Sequence, residues 1–107
     1  MKELKVISGM EIYEYQGAEE LPNGEKPMIA EGKNAVLILS GFCGYKNENL
    51  TSISIVPHEY ELDKGFLNAS KCYDNIEKAK QDAFMFAQML DCDVTKEFWQ
   101  DHGFMII

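Results

Sequence analysis

Arginine is missing from this chain. All ten basic side chains are lysine, set against eighteen Asp and Glu, and the formal net charge is −8. Arginine supplies the bidentate contacts that read bases and grip phosphates. A surface of this charge also repels a nucleic-acid backbone. Direct nucleic-acid binding is therefore not expected, and the acidic balance favours a basic protein surface as partner. Cysteine is scarce as well. Cys43, Cys72 and Cys92 are odd in number and widely spaced, with no C-x-x-C. That pattern suits neither a disulfide framework nor a zinc ribbon, and fits reduced thiols in a cytosol. Long apolar runs are lacking: the run from Ala35 to Leu39 is far below the roughly 20 residues that span a bilayer. The opening MKELKVISGMEIYEY has no apolar stretch of signal-peptide length. A cytoplasmic protein without membrane contact is expected. A glycine-rich phosphate cradle is also missing, since Lys71-Cys72-Tyr73-Asp74-Asn75 leads into the one long periodic stretch. Without clustered backbone N–H groups there is no support for coenzyme or nucleotide binding, and no cofactor is expected.

What is present is enough for a folded core. Apolar residues make up 46% and aromatic residues 11% of the chain, which argues against disorder. The 107 residues suit a single domain spanning 1–107. The strongest periodic signal runs from Asp74 to Leu90. Asp74 and Glu77 form a D-x-x-E variant of the capping box. Ile76, Ala79, Ala83, Phe86, Ala87 and Leu90 fall on one helical stripe, and the alanines allow close approach to a sheet. Glu77, Lys78, Gln81 and Asp82 are expected on the solvated side. Phe84, Met85 and Met89 are apolar but off the stripe. They need a cover of their own, either the C-terminal segment or a partner.

The residues before this helix read as strands and turns. Lys5 to Tyr15 predicts a hairpin about Ser8-Gly9. Pro22-Asn23-Gly24 closes a loop. Pro27 to Glu31 is a short strand, and Ala35 to Phe42 a central strand buried on both faces. Leu50 to Val56 is its partner, ended by Pro57. His58 to Asp63 reads as a charged edge strand, and Lys64 to Ser70 as irregular chain. After the main helix, Asp93 is expected to cap a short helix from Val94 to Asp101. Gly103 suits the left-handed position that ends it, and Phe104 to Ile107 is an apolar tail. Strands first and helices afterwards predict an α+β fold. The expected architecture is an antiparallel sheet of four to six strands, mostly a meander, packed on one long α-helix, with a short C-terminal helix and a terminal apolar strand. The expected core is Val36, Ile38, Ile53, Ile55, Ile76, Ala83, Phe86, Leu90 and Phe98.

Three groups carry candidate chemistry. Cys43 lies in Gly41-Phe42-Cys43-Gly44 at the end of the central strand, where a turn could present a nucleophile with His58 or His102 as base. Cysteine is also among the most buried residue types, and no wider nucleophile frame is present. Glu59, Glu61 and Asp63 alternate, so an extended chain would set them on one face about 6.6 to 7 Å apart. They could guard a sheet edge or engage a basic surface; their spacing suits no metal loop, and no metal is expected. Met85 and Met89 stack at i,i+4 and could form an apolar contact, including a homodimer. The combination favours a small acidic protein-binding module that is not an enzyme. Lysine-only, Asn- and Ile-rich usage also suits an AT-rich phage or mobile-element genome. An inhibitor of a basic, nucleic-acid-handling host protein would fit. A Cys43-dependent enzyme and a small-ligand-binding domain are the alternatives.

Overall fold

The structure, a computed structural model, describes residues 5–6, 19–43, 49–58, 66–93 and 95–106; the side chains of residues 5, 6, 42, 43 and 49 are outside that description. Ala35–Cys43 (β3) is the strand on which the others assemble. It pairs antiparallel with Met28–Glu31 (β2) and with Asn49–Pro57 (β4). Ala69–Tyr73 (β5) pairs antiparallel with β4, and Met105–Ile106 (β6) with β5. Lys5–Val6 (β1) completes a six-stranded sheet whose spatial order is the sequence order. The fold is α+β, with strands β2 to β5 forming an antiparallel meander.

Two strands depart from the expectations. Lys5 and Val6 pair in parallel with Met28 and Ile29; the rest of the expected Lys5–Tyr15 hairpin lies outside the described residues. β5 begins within the Lys64 to Ser70 stretch expected to be irregular and continues to Tyr73. Ala69-Ser70-Lys71-Cys72-Tyr73 has no β-branched residue, so local propensity does not announce it. Its five-residue register with β4, from Thr51↔Tyr73 to Ile55↔Ala69, makes the strand.

The register sorts the side chains onto two faces. Across one face run Ala30, Leu37, Ile55, Ala69 and Ile106, and beside them Met28, Leu39, Ile53 and Lys71. This face carries the main core. On the other face Ile29, Val36 and Ile38 form a second buried cluster with Val56 against it, while Ser54 and Ser70 continue the row in polar form. β3 is thus buried on both faces, as its unbroken apolar run implies.

Ile76–Ala87 (α1) lies over the first face through Ala79, Ala83, Phe86 and Ala87. Its cap is Asn75, one residue later than expected: the Asn75 Oδ1 accepts the Lys78 N–H at 3.0 Å. Beyond Ala87 the helix tightens into three-residue turns, with Met89 N–H donating to Phe86 O at 2.9 Å and Cys92 N–H to Met89 O at 3.1 Å. Leu90, the last residue of the apolar stripe, is then held by the β2–β3 turn. Asn34 N–H donates to Leu90 O at 2.9 Å. Gly32 lies so close beneath that a Cβ there would sit 2.4 Å from the Leu90 Cβ.

Lys96–Asp101 (α2) is shorter than expected, with Thr95 rather than Asp93 at its cap position. It ends in a complete Schellman motif. Phe104 N–H donates to Trp99 O and Gly103 N–H to Gln100 O, both at 3.0 Å, with Gly103 at φ +89°. Trp99 and Phe104 both meet Phe86 edge-on, at 5.8 and 5.1 Å between ring centres. This aromatic cluster seals one end of the core. Of the expected core, Ile76 and Phe98 are half-buried and packed against it; the other seven are buried. Val36 and Ile38 belong to the second face.

Candidate functional site

α1 presents two surfaces of different chemistry. Asp82 was expected on the solvated side, yet it points inward and is 6% exposed. Its position follows from spacing, since Ala79, Asp82, Ala83 and Phe86 share one helical stripe. A buried carboxylate needs donors, and β5 supplies one: the Tyr73 hydroxyl donates to Asp82 Oδ2 at 2.7 Å. Lys78, one turn earlier on α1, lies 3.1 Å from Asp82 Oδ1, and Lys71 on β5 lies 3.9 Å from Oδ2. Burial alone would push the Asp82 carboxyl upward. The Tyr73 hydroxyl and the two ammonium groups outweigh it and hold the group below the usual carboxylate range. Tyr73 moves the other way. Burial first, then its bond to Asp82 and that residue's charge, hold the phenol well above its ordinary value. The pair therefore keeps one proton on Tyr73 and one negative charge on Asp82, and has no group poised to exchange a proton near neutrality. Lys71 adds a third connection, donating to His102 O at the end of α2 at 2.9 Å. The cluster joins β5, α1 and α2.

The opposite surface of α1 is the exposed row Glu77, Lys78, Gln81, Phe84, Met85 and Gln88. Phe84 is 48% and Met85 52% exposed. Among the described residues, Trp99 and Phe104 of the C-terminal segment pack on Phe86. Met89 behaves differently from Met85: it is half-buried against the core and, with Phe66 and Trp99, lines a cavity of about 10 Å³. That space holds about one water, and Leu37, Leu39, Ile53 and Ile55 are buried in the main core.

At the β2–β3 turn, Glu31, Gly32, Lys33, His58 and Asp91 line an open depression of about 410 Å³. His58 Nε2 is 2.8 Å from Gly32 O and 3.4 Å from Glu31 Oε1. Both neighbours accept hydrogen bonds, so Nε2 carries the proton. Asp91 Oδ1 accepts the Lys33 N–H at 2.8 Å, which ties the end of α1 to the turn. Among the described residues no three His, Cys, Asp or Glu side chains come together as a metal site.

Strand register separates Cys43 from His58. Cys43 pairs with Asn49 at one end of the β3–β4 ladder, whereas Ala35 pairs with Pro57, beside His58, at the other. Eight residues of strand put these ends about 26 Å apart. His102 packs between the rings of Phe86 and Phe98, at 5.5 and 4.7 Å. Glu59, Glu61 and Asp63, and the side chain of Cys43, lie outside the described residues. Cys72 and Cys92 are exposed, and burial raises the Cys72 thiol above its ordinary value. Among the described residues no helix is long and apolar enough to cross a membrane. No protein-family model, curated protein or solved structure matches the chain.

Proposed function

We propose that this chain is a small acidic module that acts by binding another protein and is not an enzyme. The observation that carries the reading is the adjacent pair Phe84 and Met85, half exposed on the outward face of a helix whose inward face is fully packed. Aromatic and Met side chains held outward on a rigid helix are the anchors from which protein interfaces are built. The net charge of −8 selects a basic partner surface. Glu59, Glu61 and Asp63 are the second proposed determinant, and Met89, half-buried against the core, is the other apolar residue proposed for the contact. A phage- or mobile-element-encoded inhibitor of a basic, nucleic-acid-handling protein remains the biological setting that composition favours.

Affinity capture from the native host tests the reading. The unmodified chain should retain a specific partner. Two variants, Phe84→Ser with Met85→Ser and Glu59→Lys with Glu61→Lys and Asp63→Lys, should each weaken that capture. A partner held equally by both variants would refute the assignment. The rival cysteine chemistry is checked by iodoacetamide labelling at neutral pH. Cys72→Ser and Cys92→Ser are needed as background because both thiols are exposed. Rapid modification of Cys43 there would favour the enzyme.

A further inference from the structure

We propose that Asn23 is a site of spontaneous covalent rearrangement, and that the folded turn around it, tied to α1 through Glu25 and Lys80, holds the reaction back. This inference stands apart from the protein-binding reading and concerns the chemistry of the turn before β2.

Asn23-Gly24 is the one Asn-Gly pair in the chain. Glycine has no Cβ, so its nitrogen can approach the side chain of the residue before it. A bond forms between Gly24 N and Asn23 Cγ. The bond from Cγ to Nδ2 breaks, and Nδ2 leaves as ammonia with the proton that Gly24 N gives up. Water then opens the cyclic imide. Cleavage at Cγ leaves aspartate; cleavage at the main-chain carbonyl leaves isoaspartate, with the backbone rerouted through Cγ.

The atoms this reaction needs are all engaged. Gly24 N–H donates to Leu21 O, and Leu21 N–H to Glu25 O, both at 2.9 Å. Asn23 Oδ1 accepts the Glu25 N–H at 2.9 Å, and Nδ2 donates to Glu25 Oε1 at 2.8 Å. Glu25 is held in turn by α1, where Lys80 Nζ lies 3.1 Å from Oε2 and 3.4 Å from Oε1. Leu21 and Pro27, on either side of the turn, are buried, while Asn23 and Gly24 are exposed to water. One contact works in the opposite direction: the Glu25 N–H polarises the Asn23 side-chain carbonyl and favours attack on it. Geometry comes first, because a nucleophile has to reach its target before polarisation counts. The Gly24 proton is held by Leu21 O, and both polar atoms on Asn23 Cγ are held by Glu25. The reaction therefore runs through an opened turn, at a rate set by how often the turn opens. It is also one-way. Either product has a carboxylate in place of the Nδ2 donor, adds one negative charge to the −8, and cannot rebuild the bond to Glu25.

The test incubates the full chain at neutral pH, folded in buffer and unfolded in guanidinium. The peptide ending at Lys26 is followed by mass, for conversion of Asn to Asp, and by enzymatic methylation of isoaspartate. In guanidinium Asn23 should convert ahead of every other asparagine. In the folded chain it should convert at least about tenfold more slowly, since several hydrogen bonds must open first. Folded Glu25→Ala, which removes the acceptor of Nδ2 and the tie to Lys80, should convert about threefold faster or more than the folded unmodified chain. Lys80→Ala, which removes the tie alone, should fall between the two. Thermal unfolding shows whether each variant is folded at the incubation temperature. If a variant is not, the folded and unfolded states of the unmodified chain still decide. Equal rates in those two states, or no conversion of Asn23 in guanidinium, would overturn the inference. So would faster conversion in the folded chain, which would mean that polarisation by the Glu25 N–H prevails, or unchanged rates in both folded variants.

Discussion

At Asp82 the desolvation of a carboxylate is offset by the Tyr73 hydroxyl and two lysines. Because these groups hold its folded pKa below the usual carboxylate value, the stability it contributes is present above that usual range. It is lost as pH falls through the lower, folded value. Asp82→Asn keeps the shape and removes the charge. At neutral pH it should cost about 1–3 kcal/mol, seen as a lower urea midpoint with unchanged slope. Its acid-unfolding limb should also be shallower than that of the unmodified protein; parallel limbs would show that another group governs acid stability. Gly32 is sensitive for a steric reason. In Gly32→Ala the new Cβ would meet Leu90 Cβ and backbone at 2.4 to 2.6 Å, and Leu90 is itself bonded to Asn34. A loss of about 1–3 kcal/mol is expected from the forced shift, measured by thermal unfolding. Neither residue stood out in the sequence. Asp82 reads as one more charge in a polar helix face until its spacing from Ala79 and Ala83 is given weight, and Gly32 reads as an ordinary turn glycine.

The elements were more legible than these residues. The alanine-rich stripe of α1 announces a helix that lies close on a sheet, and its buried residues Ala79, Ala83, Phe86 and Ala87 are those of the stripe. The start of the helix was displaced by one residue. Asp74 and Glu77 make a plausible box, but Asn75 is also a strong capping type, and its side chain reaches the Lys78 N–H. Asn75→Ala should therefore cost about 1 kcal/mol, while Asp74→Ala should stay within about 0.5 kcal/mol; chemical denaturation of the two variants decides between the caps. β5 is not legible in the sequence because its five residues have little strand propensity. Tyr73 became a site residue for the same reason: only once β5 lies against β4 does it come under α1. The end of α2 was legible because the Schellman motif needs glycine at one place, and Gly103 supplies it.

For the molecule as a whole, charge is the dominant global property. A net charge of −8 repels itself in the compact state. Raising salt from about 10 mM to about 150 mM shortens the screening length from about 30 to about 8 Å, and the melting temperature should rise in calorimetry. A fall would mean that local ion pairs such as Lys80–Glu25 outweigh the net repulsion. Sequence by itself determined the α+β class, the central strand that begins at Ala35, the one long helix and the net charge of −8. Those features depend on period, composition and summed charge, which are local or additive. Tertiary structure alone decided the parallel pairing of β1, the existence of β5, the inward turn of Asp82, and the exposure of Phe84 and Met85 while Met89 packs inward. Each depends on what a distant segment supplies, whether a ladder partner, a hydroxyl donor or a covering ring. A pattern read along the chain does not contain that information until the sheet has formed.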